Sequence, residues 1–270
     1  MATFLELHHT GTPLLLPNAW DVGSALAFAE AGFPAVGTTS FGIAASTGQP
    51  DGGGSSKTAT ETLVAQLARL PVHISADIED DYADDPDEVA GYVAELAAHG
   101  VAGINIEDSK AGHLVERSAL AAKVAAIKHR TPDVFVNARV DNFWFAEQAT
   151  VDAVLLRART YADAGADGIF VPGLADPEDI RRITAGTGLP VNVLAHPSLT
   201  VAKLGELGIR RVSTGSLPYR AAVDAAVNVA TVLRDGGQLP SATPYWEMQA
   251  RLEAFSQDAA ADHPTVTKRS

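Results

Sequence analysis

Short apolar segments alternate with amphipathic segments along most of the chain. The apolar segments are hydrophobic at successive positions, which is typical of parallel strands covered on both faces. The amphipathic segments place apolar residues three and four positions apart, which indicates helices with one buried face. The pattern predicts strands at 14–18, 35–40, 72–78, 103–108, 134–139, 168–173, 191–196 and 211–215, and helices at 21–31, 60–69, 86–99, 117–128, 150–164, 176–184, 200–207 and 219–234.

Eight strand–helix units in about 250 residues predict an α/β fold, a single (β/α)8 TIM barrel. An open doubly wound sheet is the main alternative, but no Gly-x-Gly-x-x-Gly sequence follows the first strand. The barrel is assigned to residues 1–240. Residues 245–255 form a further amphipathic segment with one apolar stripe, so 241–257 is predicted as a C-terminal helical extension and 258–270 as a flexible tail.

The charge and composition narrow the range of partners. The formal net charge of −13 argues against nucleic acid and anionic membrane surfaces as partners. No apolar run approaches the length of a membrane span, and no signal peptide is recognised, so a cytoplasmic location is expected. The absence of cysteine excludes disulfides, thiolate metal sites and thiol catalysis.

Acidic side chains collect where the third and fourth predicted strands end. Asp77 and Glu79 follow the third strand, and Glu107 follows the fourth. Carboxylates brought close together raise one another's pKa unless a cation compensates. Few hard oxygen ligands with room for water suit Mg²⁺ or Mn²⁺, so a divalent-metal site is predicted. The alternative is that these acids are solvated loop residues or helix caps.

Other polar side chains are expected at the same end of the barrel, where barrel active sites lie. Arg139 ends the fifth strand, Thr39 and Ser40 follow the second, and Asn192 and His196 belong to the seventh. An arginine can bind a carboxylate or phosphonate in a bidentate manner, and a small-residue loop can offer backbone N–H groups to an oxyanion. This set favours enolate chemistry on a small anionic 2-oxo acid.

Several distinctive sequence runs lie in order along the predicted barrel. They are Leu-Pro-Asn-Ala-Trp-Asp at 16–21, Thr-Thr-Ser at 38–40 continuing to Gly-Gln-Pro-Asp-Gly at 48–52, Ala-Asp-Ile-Glu at 76–79, Gly-Ile-Asn-Ile-Glu-Asp at 103–108, Asn-Ala-Arg-Val-Asp at 137–141 and Ala-Asp-Gly-Ile-Phe-Val-Pro-Gly at 166–173. Each run is weak alone, but together they cover nearly the whole barrel. In these runs the chain resembles the phosphoenolpyruvate mutase/isocitrate lyase superfamily.

The resemblance implies a site. It implies that Mg²⁺ or Mn²⁺ is held largely through water by three acids, Asp77, Glu79 and Glu107. It implies substrate contacts from the second and fifth strand ends, namely Thr39, Ser40, Phe41 and Arg139. It also implies a role for Asp51 near the bond that changes, although Pro-Asp-Gly is by itself a common turn. Members of the superfamily commonly exchange a C-terminal helix, so a homo-oligomer, a dimer of dimers, is expected.

The loop after the fourth strand departs from the superfamily. Lyase members carry Lys-x-Cys-Gly-His there, with the thiol as proton donor, whereas this chain has Lys110, Ala111, Gly112 and His113. Cleavage by the thiol route is therefore disfavoured. The longer loop of the mutases and phosphonopyruvate hydrolases, with its lysine and Asn-Ser, is also missing. Lys110 and His113 are catalytic candidates if the loop closes as a lid, and surface residues otherwise.

The predicted function is a metal-dependent enzyme that makes or breaks a C–C or C–P bond next to a 2-oxo acid. An oxaloacetate decarboxylase-like or thiol-free lyase activity is favoured, and a phosphonomutase or phosphonopyruvate hydrolase is the alternative. A Schiff-base aldolase needs a lysine on a strand, and the lysines fall in loops, helices or the tail. A barrel without activity that serves as a binding protein is the alternative from another class.

Overall fold

Parallel strands form the centre of the molecule in the computed structural model, which describes residues 2–80 and 82–261. The strands are β1 (Leu14–Leu16), β2 (Asn18–Ala19), β3 (Ala35–Thr38), β4 (His73–Asp77), β5 (Val101–Glu107), β6 (Ser109–Lys110), β7 (His113–Leu114), β8 (Phe135–Arg139), β9 (Gly168–Phe170), β10 (Val191–Leu194) and β11 (Arg211–Ser213). All but β6 and β7 belong to one parallel sheet, in the order β1-β11-β10-β9-β8-β5-β4-β3-β2.

Helices follow the strands of this sheet and surround it. They are α1 (Phe4–Leu7), α2 (Val22–Glu30), α3 (Ser40–Ser46), α4 (Lys57–Leu67), α5 (Pro86–Ala98), α6 (Arg117–Arg130), α7 (Val151–Asp163), α8 (Pro177–Gly186), α9 (Val201–Glu206), α10 (Leu217–Arg234) and α11 (Tyr245–Ala261). The predicted (β/α)8 barrel is confirmed, because the two ends of the sheet are the two halves of the first strand.

Pro17 divides that first strand, since proline has no N–H to donate to a neighbouring strand. β1 pairs with β11 and β2 pairs with β3. Asn18 joins the two sides of this closure. Its side-chain amide donates to the carbonyl of Thr38 (2.7 Å), and its side-chain oxygen accepts from the backbone N–H of Gly215 (2.8 Å).

The barrel interior is more polar than the sequence pattern predicts. In β4, β5 and β8, apolar residues such as Ile74, Ile104 and Val136 pack into the main core. The residues between them are polar, and the expectation of strands that are apolar throughout is wrong for these three strands. Register places Asn105 opposite both Asp77 and Asn137, and Glu107 opposite Arg139. Polar side chains therefore lie side by side toward the carboxyl ends of the strands.

The amino-terminal end of the barrel is covered by α1, which the sequence pattern does not predict. Phe4 packs so closely on β5 that a Cβ at Gly103 would lie 2.5 Å from its ring. The His8 ring stacks on Phe135 at 4.1 Å between centroids. His73 is also at this end, where its Nε2 lies 2.8 Å from the carbonyl of Ala2, as expected for a structural residue.

Two short elements interrupt segments predicted as loops. The loop at 41–56 begins inside α3, whose N-cap Thr39 accepts from the N–H of Gly42. β6 and β7 form a hairpin whose central residues, Ala111 and Gly112, both have positive φ (50° and 82°). Positive φ at both positions is typical of a two-residue type I′ turn.

The last two helices differ from expectation. The helix predicted at 219–234 is confirmed as α10, but none of its residues is buried. The C-terminal segment does form a helix, α11, which contacts its own barrel where Arg251 pairs with Glu30 (2.8 Å). α11 continues to Ala261, past the predicted start of the tail at 258, and 262–270 lie outside the described residues. Within 2–80 and 82–261, no helix has the length and apolar character to span a bilayer.

Candidate active site

Two adjoining cavities open at the carboxyl-terminal end of the barrel. The first, which we call the acidic cavity, has a volume of about 470 Å³ and is lined by four acids, Asp51, Glu79, Asp80 and Glu107, together with the β6–β7 hairpin. The second, which we call the inner cavity, has a volume of about 380 Å³. Its apolar lining consists of Phe41, Phe170, Pro172 and Leu194. Asp51, Arg139 and Trp144 line both cavities, so the two meet at these side chains.

Glu79 is fixed by the loop that precedes α4. One carboxylate oxygen accepts from the N–H of Gly54 (3.1 Å) and the other from the hydroxyl of Ser56, which also contacts the hydroxyl of Tyr82 (2.9 Å). The backbone of Glu79 has a φ of 51°, which is uncommon outside glycine and persists where the surroundings determine it. Burial raises the pKa of Glu79. The sequence thus places this acid at the cavity wall through contacts from a distant loop.

Ser40, which follows β3, hydrogen-bonds to two further acids of the site, Asp77 and Asp51. Its backbone N–H donates to Asp77 (3.1 Å), and its hydroxyl donates to Asp51 (3.1 Å). The N–H of Asp77 in turn donates to the hydroxyl of Thr38 (2.8 Å). Burial raises the pKa of Asp77, and the positive charge of Arg139 opposes that shift. The predicted residues Ser40, Asp51 and Asp77 therefore form one connected group.

Arg139 lies between the cavities and pairs with two acids. Its Nη1 contacts Glu107, and its Nε donates to Asp141 (2.6 Å). The guanidinium also lies 5.6 Å from the Trp144 ring and 5.8 Å from the Phe170 ring. Burial raises the pKa of Glu107, although Arg139 opposes the shift. The arginine is thus oriented by protein carboxylates while it remains part of the cavity wall.

Asp108 is a buried acid that fixes the position of Asp141, the partner of Arg139. Its buried carboxylate accepts from the N–H of Asp141 (2.8 Å), from Arg157 (2.9 Å) and from the hydroxyl of Tyr161 (2.8 Å). Asp141 is therefore held in place to orient Arg139. The sequence reasoning did not identify Arg157 or Tyr161 as part of the site. It did place Asp141 at the end of the fifth barrel strand as a possible partner of Arg139, and the structure shows that pair.

The hairpin after β5 brings one of the two predicted loop residues to a cavity. Lys110 lines the acidic cavity and forms an ion pair with Asp84. His113 does not line either cavity, and its Nδ1 lies 2.7 Å from Glu147, which faces solvent. The hairpin therefore borders the acidic cavity through Lys110 and Ala111.

The predicted substrate-binding residues fall into two groups. Thr39, Ser40 and Phe41 line the inner cavity. Asn192 is buried beneath it and hydrogen-bonds to Ser213, which does line the cavity. His196 lies outside both cavities.

The ring of His196 braces its own loop. Its Nδ1 accepts from the N–H groups of Ser198 (3.1 Å) and Leu199 (2.9 Å), so its Nε2 is the donor to the carbonyl of Ala175 (3.1 Å). Nδ1 is thereby used within the loop of His196, and Nε2 is used on the loop that follows β9. The strand-end position predicted from the sequence is correct for the backbone, but the side chain turns to the following residues.

The acids fit a hydrated divalent cation rather than a closed cage. Four carboxylates line the acidic cavity, and burial raises the pKa of both Glu79 and Glu107, a shift that a nearby cation would oppose. Among the described residues, no three acidic or histidine side chains converge closely enough to enclose an ion. Water would therefore supply most ligands, as Mg²⁺ prefers. At the ends of β4 and β5, Glu79 and Glu107 would hold the cation from the acidic cavity and Asp77 from the inner cavity.

Comparison with known proteins agrees with the fold, a (β/α)8 barrel. A family model described as phosphoenolpyruvate phosphomutase matches residues 4–234. An uncharacterised protein of Mycobacterium tuberculosis is 52% identical over 250 residues, covering 93% of this chain and 96% of the relative. The 2,3-dimethylmalate lyase of Eubacterium barkeri is 30% identical and covers 87% of this chain and 86% of its own length.

Solved structures give the same family. A Burkholderia cenocepacia protein provisionally described as a phosphonomutase has a TM-score of 0.81 and 38% identity, covering 84% of this chain and 97% of that one. Phosphonopyruvate hydrolase, solved with oxalate and Mg²⁺, has a TM-score of 0.81 and 24% identity, covering 96% and 98%. The chain belongs to the phosphoenolpyruvate mutase/isocitrate lyase superfamily, and it is an enzyme.

Proposed function

We propose that this enzyme uses Mg²⁺ or Mn²⁺ to break or make a C–C or C–P bond next to a small anionic 2-oxo acid, through a pyruvate-like enolate. The observation that carries the proposal is the meeting of the two cavities at Asp51 and Arg139. Glu79 and Glu107, which are suited to a hydrated cation, lie on one side. On the other side lies the inner cavity, where Asp77 and several polar side chains face the apolar surface of Phe41 and Phe170. A 2-oxo acid with a leaving fragment needs the cation at its oxygen atoms and protection from water at the adjacent bond that breaks.

Each side chain of the site has a role in this proposal. Arg139 binds and orients the substrate carboxylate, since its planar fork matches a carboxylate. Asp51 accepts a hydrogen bond from Ser40 and lies next to the reacting bond, where it can transfer a proton or contact the leaving group. Phe41 and Phe170 exclude water from the enolate. When bound, the divalent cation supplies the positive charge that stabilises the enolate.

Decarboxylation or thiol-free C–C cleavage is the favoured reaction. Ala111 borders the acidic cavity where lyase members of the superfamily carry their thiol, and the side chain has no proton to donate. For oxaloacetate the balanced reaction is uptake of one proton and release of pyruvate and CO₂. The similarity to 2,3-dimethylmalate lyase supports C–C chemistry. The similarity to the provisionally described phosphonomutase supports C–P chemistry as the second candidate.

A substrate screen tests the proposal. Oxaloacetate, phosphonopyruvate and alkylated malates would be incubated with the protein and Mg²⁺, with pyruvate as the common product. CO₂ release identifies decarboxylation, and phosphate release identifies C–P hydrolysis. Controls without protein correct for spontaneous decarboxylation of oxaloacetate. A phosphonomutase would instead form phosphoenolpyruvate from phosphonopyruvate, so this isomer is measured as well. A failure to form either pyruvate or phosphoenolpyruvate above these controls from all three classes would reject the proposed function and favour a binding protein.

The substitution Ala111→Cys separates the two C–C reactions. Ala111 already has a Cβ at a φ of 50°, so replacement by cysteine adds a thiol without adding backbone strain. A gain of cleavage of alkylated malates, with no gain in Ala111→Ser, would show that the cavity is shaped for lyase substrates. Unchanged oxaloacetate decarboxylation with no gain of lyase activity would support a decarboxylase.

A further inference from the structure

Arg211 is a buried cation immediately below the inner cavity. It lies on β11 and is 1% exposed. Its Nε donates to the hydroxyl of Ser213 (3.1 Å), and its Nη2 donates to the side-chain oxygen of Asn105 (3.3 Å). Ser213 and Asn105 both line the inner cavity. The guanidinium is therefore one side chain removed from the space that the proposed substrate would occupy.

The charge of Arg211 has no close counter-ion in the described part of the chain. No carboxylate there lies within ion-pair distance of it, and its buried Nη1 has no hydrogen-bond partner. Burial lowers the pKa of Arg211 to about 9, with the negative charge of Asp77 opposing the shift. Arg139, by contrast, is paired with two carboxylates. The two arginines near the inner cavity thus differ in how far their charge is neutralised.

The neighbours of Arg211 do not depend on it for hydrogen bonds. The oxygen of Asn105 also accepts from Asn137 (2.8 Å), and the hydroxyl of Ser213 also bonds to Asn192 (3.2 Å). A buried charge without a partner costs stability, and an apolar side chain of similar size removes that cost. A buried residue that lowers stability, and whose neighbours have other hydrogen-bond partners, is typical of a position kept for function.

We infer that Arg211 positions the anionic ligand through its charge: from beneath Asn105 and Ser213 it supplies the positive charge that attracts the ligand to the floor of the inner cavity. This inference rests on the proposed function, because it assumes an anionic ligand. Arg139 cannot supply that charge alone, since Glu107 and Asp141 already offset it. The un-neutralised cation beneath the floor favours an anion in a cavity whose wall also carries the carboxylates of Asp51 and Asp77.

Three variants of the full chain test the inference. Arg211→Met removes the charge and keeps a long side chain, and Arg211→Lys keeps the charge and loses the planar fork. Arg210→Met is the matched control, because it changes the net charge equally at a half-buried neighbour that hydrogen-bonds only to the backbone of Ile209. Calorimetric titration with oxalate in the presence of Mg²⁺ measures anion affinity. Urea unfolding without ligand measures stability.

The inference predicts opposite changes in the two measurements. Arg211→Met is expected to bind oxalate about tenfold more weakly, as loss of a buried charge near an anion predicts, and to be at least as stable as the parent protein. Arg211→Lys should recover part of the affinity, and Arg210→Met should bind like the parent. Equal oxalate affinity of Arg211→Met and Arg210→Met would overturn the inference.

A structural role gives a different pattern. If Arg211→Met and Arg211→Lys were both less stable than Arg210→Met and equally weak in binding, Arg211 would be a brace and the inference would be wrong. If the parent protein itself bound no oxalate, the proposed function would lose support. The unfolding measurement would then decide alone, since a destabilised Arg211→Met assigns Arg211 to the fold and a stabilised one supports a charge kept for a ligand.

Discussion

Arg139 and Glu107 face each other in register on adjacent strands, and their side chains form an ion pair where the two cavities meet. Glu107 is one of the acids assigned to the cation, and Arg139 is assigned to the substrate carboxylate. In the protein without ligands, each is the counter-ion of the other. A bound cation and a bound carboxylate would take over both roles together, so this pair couples the two halves of the site.

The substitution Arg139→Lys is expected to lower kcat/KM about a hundredfold, or about 3 kcal/mol of transition-state binding. Lysine keeps the positive charge but cannot contact Glu107 and Asp141 while presenting a planar fork to the substrate. Steady-state kinetics on the substrate found in the screen would measure the loss. Arg159→Lys, on the exposed face of α7, is the control. Near-native kinetics of Arg139→Lys would remove this arginine from the substrate site.

The substitution Asp77→Asn is expected to weaken Mg²⁺ binding and abolish activity while the barrel remains folded. The amide is of the same size and can still accept from the N–H of Ser40, but it lacks the negative charge that a hydrated cation needs. Calorimetry with Mg²⁺ measures the affinity. Asp133→Asn removes one charge from an exposed loop at the opposite end of the barrel. Equal Mg²⁺ affinity in the two variants would show that Asp77 does not hold the cation.

The positions of the acids could be predicted because strand ends fix them. In a parallel barrel every carboxyl strand end faces the same side, so Asp77, Glu107 and Arg139 had to lie near one another once their strands were recognised. The partners that orient them could not be predicted. Asp108 reaches Arg157 and Tyr161 on α7, some fifty residues later, and no local pattern encodes such a contact.

Short elements and the contacts of interior polar residues could not be predicted from the sequence either. α3 and the β6–β7 hairpin are too short to produce a periodic signal, and tertiary contacts decide them. Arg211 begins β11, and its contacts with Asn105 and Ser213, which lie on two different strands, are not encoded in any local pattern. For His196 the backbone position at the strand end could be predicted, but the direction of its side chain could not.

His8 is expected to make the stability of the protein depend on pH. Burial lowers its pKa to about 3, whereas an unfolded histidine has a pKa of about 6.5. Between these values the unfolded chain binds one more proton than the folded chain, so the contribution of His8 to stability is lost as the pH falls below about 6.5. From pH 7 to pH 5 the loss is about 2 kcal/mol.

The substitution His8→Asn isolates this effect. The asparagine amide can still donate to the carbonyl of Phe4, which lies 2.8 Å from Nδ1 of His8, but it does not titrate. The difference in unfolding free energy between the parent and His8→Asn should therefore shrink by about 2 kcal/mol between pH 7 and pH 5. His129→Asn, at an exposed position on α6, is the control. A difference that stays constant over this range would show that His8 is not held neutral.

We propose, finally, that the protein is a homo-oligomer, a dimer of dimers, in which its C-terminal helices pack on a second subunit. α10 has no buried residue, and its apolar side chains include Val227 (61% exposed) and Leu233 (65% exposed). Only part of the apolar stripe of α11 contacts its own barrel, where Phe255 lies 4.0 Å from the guanidinium of Arg69. Exposed apolar surface of this extent on two adjacent helices is typical of an interface.

A pair of adjacent substitutions on α10 tests this assembly. Val227→Lys places a charge on the apolar side of the helix, whereas Asn228→Lys places it on the polar stripe formed by Arg220, Asp224 and Asn228 at four-residue spacing. Light scattering should show smaller species for Val227→Lys and the parent mass for Asn228→Lys, because a charge buried in an apolar interface opposes association. Truncation after Gly237 removes α11 and should also give smaller species if that helix joins the interface. A parent protein that is monomeric at micromolar concentration would exclude the exchange, and α11 would then simply dock on its own barrel through Arg251 and Phe255.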